Sequence, residues 1–251
     1  MPDTRTEQSI SAARNPILLE EATQIQKAAE LWTRHRLLGV DTEFVRERTY
    51  WAGLGLVQVS DGQTAWLADP LPESSRPILA NMLATNDTLK IFHSASEDLE
   101  VLSHSLGVLP EPMVDTQIAC ALLGQPLQMG YHHAVKWVFD VEVDKDQTRS
   151  NWLKRPLTQK QQEYAAMDVV LLPELWQTLE KRLIAAGRLE WLQEEVRRML
   201  DRAGQAIDPA MVYLRVGGAG RLPDDALRVL RSLAAWREET AIRKDRARGF
   251  V

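Results

Sequence analysis

The sequence predicts an α/β fold, and three observations carry that reading. Strand signals follow one another between Leu37 and Leu67, and from Arg76 onward helical and strand signals alternate. The apolar run Leu37-Leu38-Gly39-Val40 reads as a buried central strand, and it ends in two carboxylates, Asp41 and Glu43.

Each element has its own local warrant. Pro16 to Leu19 reads as a short extended piece, followed by an amphipathic helix whose buried stripe is Ala22, Ile25, Ala28, Ala29 and Trp32. Leu54 to Val59 is apolar and β-branched, Asp61-Gly62 is a hairpin signal, and Thr64 to Leu67 returns as the partner strand. With Leu37–Phe44 these make three sequential antiparallel strands. A helix over Arg76–Leu83 precedes a strand at Leu89–His93, then a helix over Ser96–Ser105 and a short strand at Met113–Asp115. Thr158 and Gln161 have capping-box spacing at the head of a long helical signal, which Pro173 should kink or split. Further helices are expected over Leu189–Ala203 and from Pro223 to about Asp245. The expected division is a polar tail over residues 1–15, a main domain over 16–204 and a helical appendage over 205–251.

Composition narrows the class. The chain has 251 residues, 45% apolar and 26% charged, with no apolar run of transmembrane length and no secretory pattern at its start. The single cysteine, Cys120, lies in an apolar stretch and reads as core, and the cytoplasm is the simplest compartment. A net charge of −5 argues against nucleic-acid binding by bulk electrostatics alone. The charge is uneven: Met211 to Val251 holds nine Arg or Lys against five acids, which leaves the first 210 residues at −9. That pattern suits an acidic body with a phosphate-touching appendage, and equally well a set of solvated helix faces.

Residues i and i+2 of a strand share a face, so Asp41 and Glu43 stand side by side. Adjacent carboxylates repel, and the usual remedies are a raised pKa or a cation. Asp98 starts the helix after the Leu89–His93 strand, and Asp168 shares a helix face with Tyr164 four residues earlier. Such a cage of hard oxygen ligands suits Mg²⁺ or Mn²⁺, and a phosphodiester is its natural substrate. Phe44, Arg46, Arg48 and Tyr50 follow the carboxylate pair, and Arg149, Lys154 and Arg155 precede the Tyr164 helix. Each group reads as a set of nucleic-acid contacts or as a solvated segment. His93 reads as a supporting or nucleic-acid-contacting side chain rather than a ligand of a hard ion.

Three stretches together carry a resemblance: Val40-Asp-Thr-Glu-Phe44 with Leu56-Val-Gln58, Phe92-His-Ser-Ala-Ser-Glu-Asp98, and Tyr164-Ala-Ala-Met-Asp168. They resemble the three motifs of the DEDDy 3′–5′ exonucleases and, within that superfamily, the ribonuclease D family. Val114-Asp-Thr-Gln117, Gly130-Tyr131 and Thr148 to Leu157 agree with it. Ala52 and Asn151 depart from that family's usual proline and aspartate. The resemblance implies a ribonuclease-H-like sheet, two divalent ions on Asp41, Glu43, Asp98 and Asp168, and a Tyr164 hydroxyl that orients the attacking water. It further implies release of nucleoside 5′-monophosphates from RNA with a free 3′ end, such as transfer RNA precursors and small structured RNAs. No membrane association or obligate protein partner is expected. Single-stranded DNA as substrate, and a non-catalytic RNA-binding module, are the alternatives. Leu227 to Arg237 and Arg246 to Val251 resemble the start of a helicase-and-RNase-D C-terminal (HRDC) module, expected here in truncated form.

Overall fold

The computed structural model describes residues 4–143 and 150–251. One compact unit comprises Met1–Val45 with Leu54–Ala203, and a second comprises Arg46–Gly53 with Gly204–Val251. The loop between the second and third strands therefore belongs with the C-terminal segment, a pairing that sequence order does not suggest.

The first unit is built on a six-stranded mixed sheet. Its strands are β1 (Ile17–Leu19), β2 (Leu37–Val45), β3 (Gly53–Ser60), β4 (Ala65–Ala68), β5 (Leu89–Phe92) and β6 (Met113–Asp115). Their spatial order is β1-β4-β3-β2-β5-β6. β3 and β4 form the expected antiparallel hairpin, with Val59 opposite Trp66. β5 runs parallel to β2, and β6 parallel to β5. The Pro16–Leu19 piece becomes an edge strand parallel to β4, with Ile17 opposite Trp66. β2 thus lies inside the sheet, its residues Leu38 to Val40 buried, and its carboxyl end emerges between β3 and β5. Carboxyl ends of strands are where open α/β sheets place their ligands.

The helices follow the local signals closely. α2 (Ala22–Trp32) buries Ile25, Ala28, Ala29 and Trp32, the expected stripe without Ala22. α3 (Arg76–Ala84) and α4 (Ser96–Leu106) alternate with the strands. α5 (Thr116–Leu122) and α6 (Tyr131–Phe139) add turns that the apolar pattern alone did not delimit. The long helical signal is split, as Pro173 requires, into α7 (Gln159–Val170) and α8 (Leu172–Ala185). Thr158 and Gln161 form the full capping box at the start of α7. α9 (Leu189–Gly204) closes the unit.

The expected polar tail is a helix, α1 (Thr4–Ala13). Its buried residues, Thr6, Ser9 and Ala13, recur at helical spacing but are small, and two of them are polar, so a hydrophobic pattern misses them. The Ser9 hydroxyl donates to the Gly62 carbonyl at 2.5 Å, and the Thr6 hydroxyl reaches the Glu174 carboxylate at 3.3 Å. Hydrogen bonds from Thr6 and Ser9 add to the burial of Ala13 in holding this helix.

In the second unit, α10 (Asp224–Lys244) packs on a 3-10 segment, Pro209–Arg215. Val212, Tyr213, Ala219 and Ala234 form a small core, flanked by Ile207, Val216, Leu227 and Leu230. Arg231 covers the Tyr213 ring at 4.5 Å and donates to its hydroxyl at 2.7 Å.

Candidate active site

The approach of α7 to β2 builds the site. Gly39, two residues before Asp41, has no side chain because α7 allows none: a Cβ there would meet the Val169 carbonyl at 2.6 Å and Leu172 Cβ at 2.9 Å. That contact brings Asp168 beside the β2 carboxylates. Oxygens of Asp41, Glu43 and Asp168 lie within 4.8 Å of one another. Asp98, in the first turn of α4, is joined to this cluster through Thr42, whose hydroxyl donates to its Oδ1 at 2.5 Å. Asp115 sets the start of α4. Its carboxylate accepts the N–H groups of Ser94 at 3.1 Å and Ala95 at 2.9 Å, and it caps α5 through Gln117 and Ile118.

The cluster is electrostatically frustrated without a cation. Burial raises the Asp41 pKa well above the usual carboxylate range, and Asp98, Asp168 and Glu43 raise it further. Burial, then Asp168 and Asp98, push Glu43 to about 9, against a hydrogen bond from the Trp152 side chain. Burial lifts Asp98 to about 6 against the Thr42 hydroxyl, and Asp168 to about 7 against the Tyr164 hydroxyl. Tyr164 in turn is held protonated by burial and by Asp168 and Glu43, so it acts as a hydrogen-bond donor at neutral pH. Three convergent, half-buried carboxylates whose negative charge lacks compensation fit a divalent ion well.

A pH dependence follows. A carboxyl whose folded-state pKa stands above its unfolded value contributes stability that is complete below about pH 4 and is lost as pH rises through the folded pKa. Here that loss spans about 6 for Asp98, 7 for Asp168 and 9 for Glu43. The melting midpoint in EDTA is therefore expected to fall between roughly pH 5.5 and 8.5, and Mg²⁺ to raise it more at the upper value. A metal-free midpoint that climbs across this range would contradict the repelling cluster.

Trp152 lies in the Thr148 to Leu157 segment, and sequence reasoning gave it no role of its own. It is fully buried, its side chain hydrogen-bonds Glu43, and its ring lies 6.2 Å from that of Tyr164. Gly55 admits it, since a Cβ there would meet the Trp152 carbonyl at 2.6 Å. Tyr131 was also overlooked. Its hydroxyl donates to the Met167 carbonyl at 3.0 Å, next to Asp168. The signal available for both was their place in the linking segments, not any local chemistry.

Three expected nucleic-acid contacts are corrected. All five Arg155 donors are spent inside the protein: on Asp69 at 2.6 and 2.8 Å, and on the carbonyls of Gly55, Trp152 and Lys154. This arginine fastens the Trp152 segment to the sheet. His93 is closed off at both nitrogens, by the Thr116 hydroxyl and the Met129 carbonyl, each at 2.8 Å, and burial lowers its pKa. Tyr50 is only 4% exposed, with its hydroxyl bonded to Glu238 and Arg248. Phe44 is half-buried at the end of β2, Arg46 and Arg48 are exposed, and Arg149 lies outside the described residues. Cys120 is buried core, its thiol pushed up to about 12 by burial.

The family profile described as 3′–5′ exonuclease matches residues 16–184, which include all four carboxylates and Tyr164. This chain belongs to the 3′–5′ exonuclease family. A ribonuclease D of Pseudomonas paraeruginosa is 41% identical to this exonuclease-family chain over 232 residues, covering 92% of it and 61% of the relative. A crystal structure of Escherichia coli RNase D, described as an exoribonuclease involved in structured RNA processing, superposes with a TM-score of 0.84. Identity to it is 34%, over 94% of this chain and 63% of that one. Brucella melitensis NrnC with bound Mg²⁺ superposes with a TM-score of 0.60 at 30% identity, over 68% of this chain and 85% of that one. The exonuclease-family chain thus spans about three fifths of the length of the ribonuclease D relatives it matches.

Proposed function

We propose that this chain is a metal-dependent 3′–5′ exoribonuclease that hydrolyses the 3′-terminal phosphodiester and releases nucleoside 5′-monophosphates. The observation that carries the reading is the meeting of Asp41, Glu43 and Asp168 oxygens within 4.8 Å, on elements that also carry Thr42 and Tyr164. Asp41, Glu43 and Asp168 would hold one divalent ion, and Asp41 with Asp98 a second. When bound, Mg²⁺ or Mn²⁺ supplies Lewis acidity for the attacking water and the leaving 3′ oxygen.

The chain's own groups do the rest. Trp152 hydrogen-bonds Glu43 and so fixes the rotamer of a carboxylate placed to accept a proton from water. The phenol of Tyr164 keeps its proton and offers it as a donor to the water or the phosphate oxygen beside Asp168. Thr42 sets the Asp98 carboxylate, and Arg155 holds the segment that bears Trp152. Phe44, Arg46 and Arg48 are the side chains we assign to the terminal nucleotides and their phosphates. Substrates with structured bodies and free 3′ ends, including transfer RNA precursors, are the class favoured by likeness to an enzyme described as acting in structured RNA processing. The C-terminal helical unit is read as an HRDC-type appendage. A cytoplasmic setting is read from the single, buried cysteine; among the described residues no helix is long and apolar enough to cross a membrane.

The test is digestion of a 5′-labelled oligoribonucleotide and its DNA counterpart with Mg²⁺, Mn²⁺ or EDTA. A metal-dependent ladder shortening from the 3′ end of RNA is expected. Faster shortening of DNA would reassign the substrate, and RNA binding without cleavage under either metal would leave a binding module.

A further inference from the structure

The loop that joins β2 to β3 is gripped by the far end of the chain. Asp245, the left-handed residue (φ 42°) that ends α10, accepts the N–H groups of Tyr50 at 3.0 Å and Trp51 at 3.1 Å. The Ala247 N–H donates to the Arg48 carbonyl at 2.9 Å. Asp tolerates the left-handed region better than most residues, yet the conformation still carries strain that surrounding contacts must hold.

A buried carboxylate completes the grip. Glu238, on α10, is 0% exposed and accepts from the Tyr50 hydroxyl. Arg248 meets it with a two-pronged contact, Nε to Oε2 at 2.7 Å and Nη2 to Oε1 at 2.6 Å. The same guanidinium donates to the Tyr50 hydroxyl at 3.0 Å and lies 4.7 Å from the centroid of its ring. Glu238 is closed off from solvent while the Arg248 side chain stays 40% exposed, so the junction buries one charge and satisfies it with a fork of two donors and the Tyr50 hydroxyl. A buried carboxylate left without these donors would be costly, which ties Arg248 and Tyr50 to one arrangement around it.

That arrangement matters because of what the loop carries. Arg46 follows Glu43 by three residues of unbroken chain, so its Cα lies within roughly 10 Å of that of Glu43. Arg46 and Arg48 expose their side chains on either side of Glu47. Arginines at that separation from the metal-binding strand suit phosphates just upstream of the terminal one.

We infer that Glu238 and Arg248 are positioning residues: through Tyr50 they fix the 46–53 loop, and with it the RNA contacts of Arg46 and Arg48. This inference rests on the exoribonuclease reading. It makes the C-terminal unit part of the strand-holding apparatus through one definable triad rather than through overall charge.

Glu238→Gln and Tyr50→Phe test it, since each keeps shape while removing charge or a single hydroxyl. With oligoribonucleotide substrate, KM is expected to rise about 5- to 10-fold in each, with a smaller change in kcat. Trypsin cleavage after Arg46 and Arg48, followed without RNA, is expected to accelerate by about tenfold as the loop is released. Arg248→Lys keeps the charge but not the fork, and is expected to behave like Glu238→Gln. Unchanged KM and unchanged tryptic rates in folded Tyr50→Phe protein would overturn the inference, as would a loss confined to kcat. If the wild-type chain degrades no RNA, the activity reading falls, and the tryptic rates still decide whether the triad holds the loop.

Discussion

Asp41→Asn is expected to lower the rate of metal-dependent 3′-end shortening by roughly three orders of magnitude, because in the proposed two-ion arrangement Asp41 is the carboxylate that both ions share. The same substitution is expected to leave the melting midpoint in EDTA unchanged or raised. The reason lies in the direction of the Asp41 shift: burial and three neighbouring carboxylates all disfavour its charge, so a neutral amide relieves the fold. Function and stability oppose each other at this position, as they do where a site stores repulsion that its ligand relieves. The rise in midpoint on adding Mg²⁺ should also shrink sharply in the variant. Differential scanning fluorimetry and the labelled-RNA ladder measure both halves. Loss of activity together with a large fall in the metal-free midpoint would mean that Asp41 serves the fold first, and the cation reading would lose its main support.

Gly39→Ala carries the second large effect. The added methyl has a carbonyl oxygen of α7 2.6 Å away and Leu172 Cβ at 2.9 Å, so backbone, not a flexible side-chain tip, must yield. Overpacking at a buried contact costs about 1–3 kcal/mol, and the upper end applies where two elements must part. Parting β2 from α7 also moves Asp168 and Tyr164 from Asp41 and Glu43. A displacement of about 1 Å in a catalytic constellation costs roughly 100-fold, so kcat should fall by about that factor even at temperatures where the variant is fully folded. Chemical denaturation and single-turnover assays at low temperature separate the two losses. A destabilised variant with wild-type kcat would show that the site tolerates helix displacement and that the close approach serves packing alone.

Much of the site was legible because its spacing is local. Asp41 and Glu43 share a strand face, Tyr164 and Asp168 share a helix face, and Asp98 sits where an acid favours the first turn of a helix. The split at Pro173 and the Thr158–Gln161 capping box follow from covalent geometry and from hydrogen bonds reaching three residues along the chain. Such features obey periodicities of 2 and 3.6, which the order of residue types displays directly.

The residues misread share a different property: each is defined by a partner far away in sequence. Arg155 looked free for phosphate until Asp69, 86 residues earlier, took its guanidinium. Tyr50 looked like a base contact until Glu238, 188 residues later, took its hydroxyl. A guanidinium or phenol carries the same chemistry for substrate and for fold, and only the folded chain decides which acceptor it meets. The helix Thr4–Ala13 escaped for a related reason, since Thr6 and Ser9 are held by hydrogen bonds to Glu174 and Gly62 rather than by apolar area. What the residue order determined by itself was the α/β pattern and the carboxylates of the cluster, with Tyr164 beside them. Tertiary structure alone decided how closely α7 meets β2 and that the Arg155 guanidinium is taken up inside the fold, because close approach and the choice of a hydrogen-bond partner are long-range properties that no local pattern encodes.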